Sequence, residues 1–450
     1  MLEHNDLKYL EEALAVLDQG FEELPPFDSS VQSARLRQVL HETAVRLQNN
    51  FPYPHPLYAG QMLKPPHPVA RLAYMLALYI NPNNHALDGG RASSAMEKEA
   101  VANLARLFGY QTHLGHLCAS GTIANLEALW VSRHVKAKGM VLISGQAHYT
   151  HTRMCELLQI PFRGVAVDAL GRMDVNALEN ILKRQQVGTV VVTMGTTAMG
   201  AVDPLPEILE LRERYGFRVH VDAAYGGYFT LVDTLDAHAR AAFDAIAQAD
   251  SIVVDPHKHG LQPYGCGCVL FRDPAVGRFY KHDSPYTYFT SGELHLGEIS
   301  LECSRPGAAA VALWATQRLL PMTREGEFAQ GLTASYQAAR ALHRHLTENS
   351  HYLVGPVPEL DIVVWALVAR SRAEASRRAQ VIFDTTAKQH LHLALLRVPD
   401  QLASAWWSGL GHDTETVTAL RSCLMKPEHN DWLARITAIL DAASRESLSA

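Results

Sequence analysis

Apolar residues recur at helical spacing in two leading segments, Asp6–Leu17 (Leu7, Tyr9, Leu10, Ala13, Leu14, Leu17) and Ser33–Leu47, which predicts two amphipathic helices. A proline-crowded stretch from Phe51 to Pro68 follows, and its prolines exclude helix. Met96, Val101, Leu104 and Leu107 restore the helical period from Ser94 to Phe108. Beyond that, short β-branched runs alternate with helical ones. Strands are predicted at Gly115–Ala119, Gly139–Ser144, Val187–Thr193, Phe217–Val221 and Ile252–Val254, with helices opening at Gly121 and ending at Leu158 and Tyr215. Such alternation predicts an α/β domain around a mostly parallel sheet, which binds its ligand at the C-terminal ends of the strands. An Ala-rich helix from Pro306 to Leu320 leads to a second module with a helix at Phe328–Leu346 and strands at Ile362–Val368, His390–Arg397 and Thr416–Leu424. The expected division is therefore a helical arm with a loop (1–70), a large domain (71–322) and a small C-terminal α+β domain (323–450).

Composition narrows the function classes. At 450 residues, with 48% apolar and 19% charged residues, the chain is long enough for a large domain and a smaller partner and is not disordered in character. A net charge of −6 without a dense basic block argues against nucleic acid as a partner. No apolar run reaches the roughly 18 residues that cross a bilayer, and the first residues lack the basic start of a secretion signal, so the expected location is the cytoplasm. Six dispersed cysteines read as reduced thiols. Cys266 and Cys268 share a face of an apolar run, and His390 and His392 are expected on the wetter side of a strand; neither pair has the second set of ligands a metal would need.

The candidate chemistry sits at strand ends. Ser251-Ile-Val-Val-Asp-Pro-His-Lys-His-Gly260 is an apolar strand that breaks at Asp255-Pro256 and places Lys258 at its mouth. A lysine amine that loses its proton can condense with an aldehyde to form a Schiff base. Upstream, Asp222 ends another apolar strand in His220-Val-Asp-Ala-Ala224. Lys258 and Asp222 at neighbouring strand ends suit pyridoxal 5'-phosphate, the amine for its aldehyde and the carboxylate for its pyridinium nitrogen. Ser120, Gly121 and Thr122 open a helix whose free N–H groups make an anion pocket, although Ser-Gly-Thr is also an ordinary helix cap. In Gly195-Thr-Thr197, Thr196 is the preferred hydroxyl for the ring or phosphate. A dinucleotide site is disfavoured, because no strand-to-helix turn carries Gly-x-Gly-x-x-Gly.

Five motifs in order, Ala119-Ser-Gly-Thr-Ile-Ala-Asn125, Gln146-Ala-His148, Gly195-Thr-Thr197, His220-Val-Asp-Ala-Ala224 and Asp255-Pro-His-Lys258, make the chain resemble the pyridoxal-phosphate-dependent amino-acid decarboxylases of the aromatic-amino-acid, tyrosine, aspartate and glutamate group. The resemblance implies the aspartate-aminotransferase-like fold, with a large, mostly parallel seven-stranded sheet, and a homodimer whose active site lies at the subunit interface. It places His148 and Ala224 on the two faces of the ring and Asp255 and His257 among the cofactor contacts. His55 and Gln61, from the proline-rich loop, and Arg421, from the closing strand, become candidates for the substrate carboxylate. Tyr286 or Tyr288, in the irregular segment 281–292, becomes the proton donor.

The implied reaction releases CO2 from an L-amino acid, with tyrosine and aspartate the substrates that the Asp255-Pro-His-Lys and Gly260-x-x-Pro-Tyr264 sequences most resemble. Alternatives of the same fold are aldehyde synthesis, carbon–sulfur cleavage and a catalytically silent binding homologue. Retention of Lys258, Asp222 and His148 together speaks against the silent copy.

Overall fold

The computed structural model describes residues 4–25, 33–85, 89–136, 138–281 and 299–449. Seven strands form the large sheet: β1 (Leu114–Cys118), β2 (Met140–Ser144), β3 (Phe162–Val165), β4 (Val187–Thr193), β5 (Arg218–Asp222), β6 (Ser251–Val254) and β7 (Gly267–Phe271). Their order is β1-β7-β6-β5-β4-β2-β3, and β7 runs opposite in direction to the other six. β4 to β6 are wholly buried apart from the edges of their first residues, with Val190, Val192, Val219, Val221, Ile252 and Val254 in one core. Burial on both sheet faces explains their β-branched apolar residues, and the polar residues that alternate with them, such as His220 and Asp222 in β5, are themselves buried and hydrogen-bonded.

Parallel register aligns the strand ends. Thr193 stands opposite Asp222, and Asp222 opposite Val253, so the chain leaves β4, β5 and β6 at one level. The tight exit depends on glycine: a Cβ on Gly226 would meet the Met194 carbonyl oxygen at 2.1 Å.

The smaller sheet is antiparallel, in the order β10-β11-β9-β8, from β8 (Tyr352–Val354), β9 (Ile362–Leu367), β10 (Ala394–Pro399) and β11 (Thr416–Cys423). The helix Glu327–Glu348 packs on it and on the C-terminal helix His429–Ser449, around Trp365, Leu342 and Leu440. The α/β class, the mostly parallel seven-stranded sheet and the small α+β unit are thus as expected, with β3 and β8 as additions. β3 escapes the pattern because three of its four residues are exposed at the sheet edge.

The expected strand His390–Arg397 is corrected. His390 has φ +64 in a turn after the helix Arg372–Lys388, and His392 pairs its backbone with Leu57 and Ala59 of the proline-rich loop, so β10 begins only at Ala394. The two histidines therefore do not share a sheet face. Both leading helices form, at His4–Gln19 and Ser33–Leu47, and Leu36, Val39, Leu40, Val45 and Leu47 of the second are exposed. No helix among the described residues is long and apolar enough to cross a membrane.

Candidate active site

The strand exits of β4, β5 and β6 and the N-terminus of the helix Gly121–Val135 surround a cavity of about 180 Å³. Its lining includes Ser120, Gly121, Thr122, His148, Asp222, Ala224, Asp255, His257 and Lys258. All nine are residues singled out from the sequence.

Lys258 Nζ lies 3.0 Å from Asp255 Oδ2. Burial alone would lower its pKa, but the charges of Asp255 and Asp222 outweigh burial and raise it, so the resting amine is an ammonium. Asp255 is wedged at the start of the helix: a Cβ on Gly121 would meet its Oδ2 at 2.7 Å, which explains glycine there. His257 turns its Nδ1 to the Cys266 carbonyl at 2.8 Å and packs its ring on Tyr264, with centroids 4.7 Å apart.

Asp222 is 5% exposed at the end of β5. Its Oδ2 accepts from His151 Nε2 at 2.7 Å and Asn125 Nδ2 at 3.4 Å, and its Oδ1 from the Ala224 N–H at 3.1 Å. Burial on its own would raise the carboxyl pKa, yet these donors and the Lys258 charge bring it well below the usual carboxylate range. His148 is half-buried; burial first, then the Lys258 charge, lowers its pKa, so it presents a neutral ring.

At the helix N-terminus Ser120 caps the Ile123 N–H and Thr122 Oγ accepts from Thr150 Oγ at 3.1 Å. Backbone N–H groups and hydroxyls together face the cavity, an arrangement that holds a phosphate.

Two expectations are corrected by the geometry. Thr196 is fully buried and its hydroxyl accepts from the Ala201 N–H at 3.0 Å inside its own turn, so Gly195 and Thr197 line the cavity instead. His55 is exposed and packs edge-on against Trp432, 4.7 Å between ring centroids, because the turn of residues 52–58 directs it to the C-terminal helix.

Gln61 and Arg421 do meet, 2.7 Å between Oε1 and Nη2, and Arg421 Nη1 donates to the Thr197 carbonyl at 2.7 Å. This links β11 to the cavity rim. Tyr286 and Tyr288 lie outside the described residues.

Residues without an assigned role in the sequence complete the site. His151, His220 and Ser251 stand behind Asp222, and Asn125 lines the cavity beside it. Strand alternation could have flagged His220, two positions before Asp222 and on the same face. Ser251 begins β6, at the end away from Lys258. Nothing local flagged His151, which reaches Asp222 across the sheet surface.

The fold and a lysine–aspartate pair at parallel strand ends define a pyridoxal-phosphate enzyme. Residues 55–368 match the pyridoxal-dependent decarboxylase conserved domain, and the chain belongs to that family. It is an amino-acid carboxy-lyase that uses pyridoxal phosphate.

Among its relatives, the L-tyrosine decarboxylase of Enterococcus faecium is 29% identical, over 70% of this chain and 68% of its own. The probable L-tyrosine/L-aspartate decarboxylase of Methanothermobacter thermautotrophicus is 30% identical over 71% and 86%. The chain thus spans about two thirds of the length of the enterococcal enzyme. Among solved structures, Oryza sativa TDC with PLP and tryptamine superposes with a TM-score of 0.79 at 16% identity, covering 99% of both chains. Mouse CSAD in apo form gives 0.77 at 21%, covering 95% of this chain and 91% of that one. These likenesses show the fold.

The residues present fit the cofactor. An amine, a carboxylate held ionised and a helix N-terminus share one cavity, and Thr193 Oγ, buried in its wall, has no partner among the described residues.

Proposed function

We propose that this enzyme decarboxylates an aromatic or acidic L-amino acid, tyrosine or aspartate, in the cytoplasm and as a homodimer. The observation that carries the reading is the convergence of Lys258 and Asp222 on one cavity beside an anion-binding helix end. The substrate class follows the tyrosine and aspartate decarboxylases among its relatives. Pyridoxal phosphate, when bound, supplies an aldehyde for an amine and a ring that accepts an electron pair.

The chain's own residues do the rest. Lys258 would hold the cofactor through its amine, the group that can condense with an aldehyde. Asp222 holds a proton on the ring nitrogen, and its low pKa keeps it an acceptor there. His148 and Ala224 flank the ring, and Ser120, Gly121 and Thr122 bind the phosphate. Thr197 takes the place expected of Thr196.

Arg421 orients the substrate carboxylate. Its two terminal nitrogens rest on neutral acceptors, Gln61 and Thr197, so its charge is not neutralised by a protein carboxylate within these bonds. Tyr286 or Tyr288 returns the proton to the α-carbon. The exposed apolar residues of Ser33–Leu47 supply the surface for the second subunit. Aldehyde synthesis, carbon–sulfur cleavage and a silent homologue gain no support from the tyrosine and aspartate decarboxylases among the relatives.

Incubating the purified holoenzyme with a panel of amino acids and measuring CO2 release tests the assignment. Release from tyrosine or aspartate is expected. Release from neither, with full cofactor occupancy, would overturn the substrate class.

A further inference from the structure

Asp222 is buried, yet the nearest groups that donate to it are His151, Asn125 and a backbone N–H, not an arginine or lysine in direct contact. The protonation of His151 follows from its surroundings. Its Nδ1 is buried without a partner among the described residues, whereas its Nε2 is 2.7 Å from the carboxylate. A buried N–H without an acceptor is costly, so the hydrogen sits on Nε2 and Nδ1 is bare. His151 is thereby a neutral donor.

A second line of donors points the same way. His220 is 1% exposed, with Nε2 2.8 Å from Asn125 Oδ1 and Nδ1 2.9 Å from Ser251 Oγ. The amide group of Asn125 must turn its NH2 to the carboxylate, which leaves Oδ1 to accept from His220. His220 Nε2 therefore donates, and its Nδ1 accepts from the Ser251 hydroxyl. Ser251, His220 and Asn125 form a one-way chain of hydrogen bonds ending on Asp222 Oδ2.

We infer that His151 is a positioning residue for the cofactor: it and the Ser251–His220–Asn125 chain occupy Asp222 Oδ2, fixing the carboxylate and leaving an Oδ1 lone pair to the pyridine nitrogen. A cationic donor in place of His151 would hold the carboxylate equally well but would spend its charge. Neutral donors fix the carboxylate without adding a full opposing charge in direct contact with it. The inference rests on Asp222 being the partner of the ring nitrogen. The other titratable or charged groups around the pair are His148, Lys258, Asp255 and, behind His220, Arg218.

The test uses holoenzyme reconstituted with pyridoxal phosphate labelled with 15N in the ring, and reads the ring-nitrogen chemical shift against pH. Wild type is expected to keep the protonated shift to high pH. His151→Leu should move the transition to lower pH and reduce kcat roughly ten- to a hundredfold, as for loss of one hydrogen bond to a charged group. KM should be unchanged. His151→Gln, whose amide can restore the donor, should recover most of both.

Asp222→Asn separates the two claims. If it leaves the ring shift unchanged, the reading of Asp222 itself fails. If it moves the shift and a folded His151→Leu does not, only the role of His151 fails. Should His151→Leu not fold, the tautomer decides: a long-range 1H–15N spectrum of the wild-type holoenzyme showing the hydrogen of His151 on Nδ1 overturns the inference, and one showing it on Nε2 sustains it.

Discussion

The floor of the cavity and the wall of side chains behind its Thr197 rim are built from different kinds of contact. Asp222, Ala224, Asp255 and Lys258 leave adjacent parallel strands whose register sets their height. The wall joins Gln61 to Arg421, 360 positions apart, and Arg421 to Thr197, 224 positions apart. Tyr225 makes a similar bridge, from the cavity lining to Asp361 just before β9, at 2.6 Å. A floor fixed by backbone ladders is rigid and holds charge in a set place. A wall held by side-chain bonds between two packed units can be retuned without disturbing the sheet. Chemistry should therefore depend on the floor and substrate affinity on the wall.

The largest effect is expected at Lys258. Lys258→Ala should remove the visible, borohydride-sensitive cofactor band and lower turnover about 10^4-fold or more; an unchanged band would take Lys258 out of its role. Asp222→Asn comes next, with kcat down roughly 10^2- to 10^3-fold and KM little changed in steady-state kinetics. A rise in KM alone would place Asp222 on the wall and break the contrast.

On the wall the sign of the split reverses. Arg421→Met should raise KM roughly ten- to a hundredfold, the cost of a charged hydrogen-bonding partner, with kcat within a few-fold. Gln61→Leu, which removes only a neutral acceptor from Arg421, should raise KM less, about two- to fivefold. Equal losses of kcat in both variants would mean that wall and floor act as one unit.

The last effect concerns stability rather than turnover. Burial pushes His220 down to about 3, below its value of about 6.5 in an unfolded chain. The folded state thus holds this imidazole neutral. Its contribution is intact above pH 6.5 and is lost as pH falls from there towards 3, because the unfolded chain takes up a proton that the folded one refuses. The slope is at most about 1.4 kcal/mol per pH unit. Urea melts of cofactor-free protein at pH 7, 6 and 5 should show a shallower acid limb for His220→Gln than for wild type; parallel curves would contradict the assignment.

Much of the floor is legible in the amino-acid sequence. A β-branched run that stops at a charged residue identifies a buried strand and its exit, and five motifs in family order mark which exits matter. Nine cavity residues follow from those two signals. Thr196 departs from expectation for a local reason: adjacent threonines leave a turn in opposite directions, and which one faces inward depends on the turn's own hydrogen bond to Ala201. His55 departs because a proline-rich loop has no periodicity to orient its side chains. Its place is set by Trp432 and by the pairing of Leu57 and Ala59 with His392.

Element types, the parallel sheet and the identity of the amine and the carboxylate are encoded along the chain, since these depend on local period and on chemistry that few residue types can perform. That His151 supports Asp222 and that Gln61 meets Arg421 is a matter of packing alone. Those contacts join side chains through space after the sheet and its helices have come together, and no regular spacing along the chain encodes a distance that only packing creates.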